Sequence, residues 1–240
     1  MLRVLPMAEY AHLQIDDCEW VIPGYLPKPG MLMILGEPRA GKSFLGLQLA
    51  YSIAQGKSLI PGTITHKKRV LYFYFDKTGP FAFQDRLQQF EKHGMDLSGP
   101  IFIVHPNDTI TSVNLLEPSH MAFFEQAIKQ TQPDVVVFDV LREFHNADEN
   151  ESTAMKRVGD ALTQLCHGLS AIVIHHTKKL DPDKGLPRNV DACRGSNYIA
   201  GKADATWLIH QGYLYTESNF VPALKHKLGG RLPDGRWIIV

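Results

Sequence analysis

The sequence predicts an α/β fold: a mostly parallel, twisted sheet with helices on both faces and antiparallel strands at its C-terminal end. Three observations carry the prediction. Apolar, β-rich runs alternate with segments of helical periodicity through most of the chain. The run Met31-Leu32-Met33-Ile34-Leu35 leads through Gly36-Glu37-Pro38-Arg39-Ala40-Gly41-Lys42-Ser43 into Phe44-Leu45-Gly46-Leu47-Gln48-Leu49-Ala50, the strand, Gly-rich loop and helix of a P-loop. From Ala203 onward the pattern changes to short strands broken by turn residues.

Taken in order, residues 1–28 read as a lead-in: Trp20-Val21-Ile22 is followed by Pro23, Gly24 and Pro27, with Pro29 and Gly30 at its border. Residues 29–240 are expected to form one core. After the P-loop helix, Gly56 to Lys68 is a loop, and Arg69 to Phe75 is a strand apolar on both faces. A helix is expected from about Phe81 to His93, then a strand at Ile101-Phe102-Ile103-Val104. Pro118 suits the first turn of a helix that places Met121, Phe124 and Ile128 on one face. Val135-Val136-Val137-Phe138-Asp139 is a central strand ending in an acid. The next helix carries Ala154, Met155, Val158, Ala161, Leu162, Leu165 and Leu169 at helical spacing, and Ala171-Ile172-Val173-Ile174-His175 is again a buried strand. Ala205 to Ile209, Tyr213-Leu214-Tyr215 and Val221-Pro222-Ala223-Leu224 are expected to be antiparallel strands meeting at Gly212 and Asn219. No internal repeat or low-complexity segment interrupts the pattern.

Composition bounds the function. A chain of 240 residues, 44% hydrophobic and 21% charged, can bury a sizeable core and is not disordered throughout. No run approaches the eighteen or so apolar residues of a membrane span, and the N-terminus lacks the order of a secretory signal. Cys18, Cys166 and Cys193 are odd in number and far apart, so no disulfide framework is expected. A reduced, cytoplasmic setting follows as the expectation. Net charge is zero, so any affinity for nucleic acid must come from a local patch. Residues 171–202 supply one: Lys178, Lys179, Lys184, Arg188, Arg194 and Lys202 stand against Asp181, Asp183 and Asp191.

The P-loop predicts the chemistry. Gly36, Glu37, Pro38, Arg39, Ala40, Gly41, Lys42, Ser43 and Phe44 form the expected nucleotide-binding set. Backbone N–H groups wrap a diphosphate at the positive end of a helix, Lys42 reaches the β/γ-phosphates, and the Ser43 hydroxyl holds Mg²⁺. Asp139, an acid at a strand end, can hold the Mg²⁺ shell through water; such acids also cap helices, and the P-loop beside it favours the metal role. Asp76 follows a strand where it could orient the attacking water, or it is a turn residue of Asp76-Lys77-Thr78-Gly79-Pro80; Glu37 and Glu143 are the other candidates. His175 and His176 point to opposite faces and make a poor chelating pair, so one of them is better read as a γ-phosphate sensor, with a hydrogen-bonded, half-buried histidine as the alternative. The aromatic run Tyr72-Phe73-Tyr74-Phe75 is expected in the core rather than as a base-stacking platform. Arg69 and Arg86 have no role assignable from sequence.

With these residues in order, the chain resembles the RecA-like P-loop motor ATPases, and within them the RepA-type hexameric helicases of plasmids and phages. The resemblance covers about residues 20–230. It rests on the P-loop, on Val70 to Asp76, on Val137-Phe138-Asp139-Val140-Leu141-Arg142-Glu143-Phe144-His145 with Asp148-Glu149-Asn150-Glu151, on Val173-Ile174-His175-His176-Thr177-Lys178, on Arg194-Gly195-Ser196 with Ala203-Asp204-Ala205, and on Lys225-His226-Lys227-Leu228-Gly229. The resemblance implies a RecA-like core in which Asp139 is the Walker B acid, Asp76 stands at the catalytic Glu position and His176 is the sensor. It implies that the loop from about Lys179 to Cys193 faces single-stranded DNA, through Lys178, Lys179, Lys184, Arg188 and Arg194. Lys225 and Lys227 would reach a neighbouring subunit's γ-phosphate in trans. Two departures stand out: Asp76 is one methylene shorter than Glu, and Lys227 replaces an Arg and loses its planar fork. The expected function is an ATP- and Mg²⁺-dependent DNA helicase or translocase acting as a homo-oligomer, a hexameric ring in preference to a filament. The alternatives are a strand-exchange recombinase in DNA recombination and a low-turnover nucleotide switch or loader.

Overall fold

A computed structural model of the chain describes residues 4–12, 18–61, 63, 65–75, 79–105, 112–180 and 185–240. Its strands are β1 (Glu19–Ile22), β2 (Leu26–Lys28), β3 (Gly30–Gly36), β4 (Val70–Tyr74), β5 (Ile101–Val104), β6 (Val135–Asp139), β7 (Ser170–His176), β8 (Ala205–His210), β9 (Tyr213–Ser218), β10 (Leu224–Arg231) and β11 (Trp237–Ile239). The helices are α1 (Met7–Ala11), α2 (Lys42–Gln55), α3 (Gly79–Lys92), α4 (Pro118–Thr131), α5 (Ser152–Leu165), α6 (Asn189–Ala192) and α7 (Tyr198–Lys202), with a 3₁₀ turn at Leu141–Phe144.

Nine strands form one sheet in the order β11-β10-β9-β8-β3-β7-β6-β4-β5. From β8 to β5 every neighbouring pair is parallel, and β8 through β11 pair antiparallel. The parallel strands β3, β4, β6 and β7 are buried and apolar along most of their length because both faces are covered, and successive residues serve different cores, whereas β10 is largely exposed. Leu32, Ile34, Tyr72, Tyr74, Val137 and Ile174 pack with α2 and α3 in one cluster. Met33, Leu35, Leu71, Phe73, Phe138 and Val173 pack with α4 and α5 in the other. The β1–β2 hairpin adds Val21, Ile22, Tyr25 and Leu26 to the first cluster, whereas α1 buries nothing. No helix among the described residues is long and apolar enough to cross a membrane.

Helix α4 starts with Pro118 at its first turn and buries Phe124, with Met121 and Ile128 packed alongside, as the periodicity predicts. Two expectations are corrected. Residues 221–223 are not a strand: β10 begins at Leu224, because Pro222 has no N–H to give a ladder, and it runs on to Arg231. Helix α5 ends at Leu165, and Leu169 lies in the turn to β7, where Gly168 takes φ +76°.

Phe124 is fully buried and meets Phe73 edge-on at 4.9 Å, Phe144 at 6.0 Å and Phe138 at 6.5 Å. Phe124→Ala is therefore expected to cost about 3–5 kcal/mol, read as a lowered urea midpoint at unchanged slope.

Candidate functional site

The loop between β3 and α2 starts from a buried strand and ends in a helix with no side-chain cap. Arg39 (φ 66°) and Gly41 (φ 93°) take left-handed conformations, Ala40 N–H donates to Glu37 O at 3.1 Å, and Gly41 is the N-cap of α2. The first-turn N–H groups of α2 are thus open to a ligand. Gly41 is required twice over: by its φ, and because a Cβ there would lie 2.1 Å from Arg231 Nη2.

Lys42 and Ser43, consecutive on α2, point to adjacent strands. Lys42 is 4% exposed; its Nζ donates to Glu37 O at 2.8 Å and lies 3.1 Å from His176 Nδ1 on β7. Ser43 Oγ donates to Asp139 Oδ1 at 2.9 Å, and Tyr72 OH donates to Asp139 Oδ2 at 2.8 Å. Asp139 is wholly buried at the end of β6, so its carboxylate depends on such donors. Burial, then the Asp139 charge, raises the Tyr72 phenol well above its ordinary range, which keeps it a donor. Ser43 Oγ and Asp139 are a hydroxyl and a carboxylate, hard oxygen donors of the kind Mg²⁺ takes when phosphates and water complete its shell. Among the described residues there is no group of three or more His, Cys, Asp or Glu placed to hold a metal ion.

Four of the site residues expected from sequence thus converge: Lys42, Ser43, Asp139 and His176. Asp76 and Lys184 lie outside the described residues. Lys225 and Lys227 are exposed on β10, paired with Tyr215 and Tyr213, and Lys225 Nζ sits 3.8 Å above the Tyr213 ring. Lys178, Lys179, Arg188 and Arg194 are exposed, but the Arg194 guanidinium is already engaged, its Nε 3.2 Å from Glu149 Oε2. The segment reaching Cys193 is not a free loop throughout. Helix α6 anchors it through buried Asn189, whose Nδ2 donates to Thr206 O and Tyr215 O, both at 3.0 Å.

Sequence reasoning missed one side of the site. Arg86 and Arg231 both lie over Phe44, with Cζ 4.6 and 5.0 Å from its ring centroid, and Arg231 also lies 4.5 Å from the Trp237 ring. Burial, then the nearby Arg86 charge, lowers the Arg231 pKa, and Arg86 Nη1 is buried with no hydrogen-bond partner. Gln48 fixes this corner by exchanging two hydrogen bonds with the Trp237 backbone, at 2.9 and 3.0 Å. The local signal is weak: an arginine on α3 and another in the C-terminal strands share no motif. Arg69, by contrast, is structural; its side chain donates to Thr131 O and stacks on Phe102.

Behind the site, burial pushes the imidazoles of His175 and His145 down to about 4. The three cysteines are free, and burial pushes the Cys166 and Cys193 thiols up to about 12.

The AAA domain family profile matches residues 1–182. No curated protein matches the chain. Among solved structures, the chain is similar to a KaiC-like protein from the hyperthermophilic archaeon Pyrococcus horikoshii OT3, with TM-score 0.57 and 12% identity over 92% of this chain and 93% of that one. It is also similar to a second solved structure, an ATPase domain, with TM-score 0.63 and 13% identity over 88% of this chain and 84% of that one. At such identities the likeness is one of fold, and the fold is that of the RecA-like P-loop ATPases.

A histidine held neutral in the fold takes up its proton on unfolding, so the unfolded chain binds more protons between pH 4 and 6.5 and stability falls as pH drops through that window. For His175, 1% exposed, the loss between pH 7 and 4 is up to about 3 kcal/mol. His175→Gln should flatten the plot of urea midpoint against pH in that range; an unchanged slope would show that His175 is not the group responsible.

Proposed function

The chain belongs to the AAA domain family, and from that membership we propose that it binds and hydrolyses ATP with Mg²⁺ at the P-loop and uses the turnover to move single-stranded DNA through a ring of identical subunits. The observation that carries the reading is the convergence of Lys42, Ser43, Asp139 and His176 at the start of α2. Lys42 is the cation for the β/γ-phosphates, already held at the mouth of the loop by Glu37 O. Ser43 Oγ and Asp139 are the groups that would hold Mg²⁺, which supplies neutralisation of phosphate charge. His176 contacts Lys42, so a phosphate that draws Lys42 away alters the hydrogen bonding of the sensor. Asp76 is assigned to orient the attacking water, and Lys225 and Lys227 to complete the neighbour's site in trans. Lys178, Lys179, Lys184 and Arg188 are assigned to DNA phosphates, with Arg194 the least available of the five because of Glu149.

A second reading, a nucleotide switch or loader with slow hydrolysis, is favoured by two residues. Asp76 reaches one methylene less than Glu, and Lys227 offers a point charge where Arg would offer a fork. A strand-exchange recombinase would instead assemble open filaments, visible in electron micrographs on DNA.

The test is ATPase activity with and without single-stranded DNA. Lys42→Ala should lower turnover at least about 100-fold, in keeping with loss of a charge that stabilises the transferring phosphoryl group. Stimulation by DNA that disappears in the variant supports the motor; tight ATP binding with no turnover in the wild-type protein supports the switch. Asp76→Glu should raise the rate, and an equal or lower rate would remove Asp76 from the catalytic assignment. Replacing Lys178 and Lys179 by Ala should reduce the slope of log affinity against log salt by roughly 0.7 per lysine, the single-strand value; an unchanged slope would exclude them as phosphate contacts.

A further inference from the structure

Two stretches of chain leave the sheet beside Asp139 and His176: residues 145–151, after the 3₁₀ turn that follows β6, and, after β7, a segment described at residues 177–180 and 185–196. They meet at Glu149, which is 6% exposed although it is an acid on a loop. Its Oε2 lies 3.2 Å from Arg194 Nε, and its backbone O accepts from Ser196 N–H at 2.6 Å. Between those two residues, Gly195 takes φ +70° and packs so closely that a Cβ would fall 2.2 Å from Glu149 O. Residue 149 thus grips three successive residues of the other loop.

The gripped segment is tied in turn to the end of β7. Arg194 N–H donates to His176 O at 3.0 Å, and Arg194 O lies 3.3 Å from His175 Nε2, the proton-bearing nitrogen of a neutral imidazole. Lys178 N–H donates to Ala192 O at 3.0 Å, and Thr177 and Cys193 form an antiparallel bridge, so the loop closes as a stem directly on the sensor strand. His176 is the residue whose ring meets Lys42. One residue therefore touches the P-loop lysine with its side chain and the base of the loop with its backbone. The Glu149–Arg194 pair fixes the far side of that base.

We propose that Glu149 is a positioning residue that locks residues 192–196 to the 145–151 loop, so that a change at Lys42 and His176 reaches both segments as one body. Glu149 is assigned no contact with the nucleotide or its cation; it acts through Arg194. Without the ion pair, the stem keeps its backbone bonds to β7 and the single Ser196–Glu149 backbone bond but loses the side-chain half of its hold on the second loop, and the signal from the P-loop is weakened beyond the strand end. The inference rests on the nucleotide reading of the P-loop.

The test uses the full chain and hydrogen exchange of peptides covering 145–151 and 185–196, with and without a non-hydrolysable ATP analogue and Mg²⁺. Affinity for a fluorescent ATP analogue is measured in parallel. In the wild-type protein the analogue should slow exchange in both loops. Glu149→Gln, nearly isosteric, should bind nucleotide within about two-fold of wild type yet lose most of the nucleotide-dependent slowing. Arg194→Met should behave in the same way, whereas Arg194→Lys, which keeps the charge, should retain the response. A merely structural role would raise exchange equally with and without nucleotide and would overturn the proposal. So would a Glu149→Gln protein whose loops respond as in wild type, or a wild-type protein that binds nucleotide with no loop response. Failure of the wild-type protein to bind nucleotide at all would be a different result: it would bring down the P-loop reading, and this inference with it.

Discussion

Asp139 places a carboxyl group at a wholly buried strand end, and the arrangement of the surrounding elements supplies the donors it requires. A carboxylate taken out of water costs several kcal/mol unless donors replace its hydration. Ser43 from α2 and Tyr72 from β4 are two such donors, one to each oxygen. Their reach fixes how high α2 begins relative to the sheet and which face of β4 looks toward it. One residue earlier, Lys42 is buried as a cation and is met by Glu37 O and by the His176 ring. Successive residues on a helix are separated by about 100° of rotation, which is why Lys42 faces β7 while Ser43 faces β6. The strand order that sets β6 beside β7 is therefore the order that lets one helical turn serve both.

Much of this was legible in the sequence because it is local. The parallel strands are apolar on both faces, the P-loop spans eight residues, and Pro118 and the spacing of Met121, Phe124 and Ile128 mark α4. Asp139 could be singled out because it ends an apolar strand. Tyr72 was read as core, and it is core; its hydroxyl bond to Asp139 follows from the alternation of side chains on β4 combined with the pairing of β4 and β6, and pairing is not written in either strand alone. Arg86, Arg231 and Trp237 could not be assembled from sequence because they come from separate elements and obey no shared period. The strand start at Leu224 was displaced from expectation by Pro222, whose effect on the ladder outweighs the apolar run around it. Asp76 and Lys184 lie outside the described residues, so their assignment rests on sequence alone.

The C-terminal strands do more than extend the sheet. Hairpin β10–β11 is pinned to α2 by the Gln48–Trp237 pair and sets Arg231 beside Gly41. Arg231 and Arg86 approach the same Phe44 ring, whose π face offers each of them modest compensation while their like charges oppose one another. Together with the open N-terminus of α2 they concentrate positive potential in a chain whose net charge is zero. In the proposed function, phosphates bound at this corner would offset the repulsion between the two guanidinium groups.

Both proposed readings, ATP-driven movement and a nucleotide-set state, require a phosphate site joined stiffly to what lies beyond it. His176 belongs to a strand hydrogen-bonded along its length to β3 and paired with β6, so it does not shift alone. The loops that follow the strand ends are joined at their bases to His176 and Glu149 by backbone bonds and by the Glu149–Arg194 ion pair. On the proposed coupling, a sheet with loops clamped at their bases would carry a change at Lys42 to both loops together. That is the mechanical property a motor needs; a switch with slow hydrolysis could share it. The two proposed readings therefore differ in chemistry at the γ-phosphate, where Asp76 is assigned from sequence to orient water, and not in the scaffold that would carry the signal away.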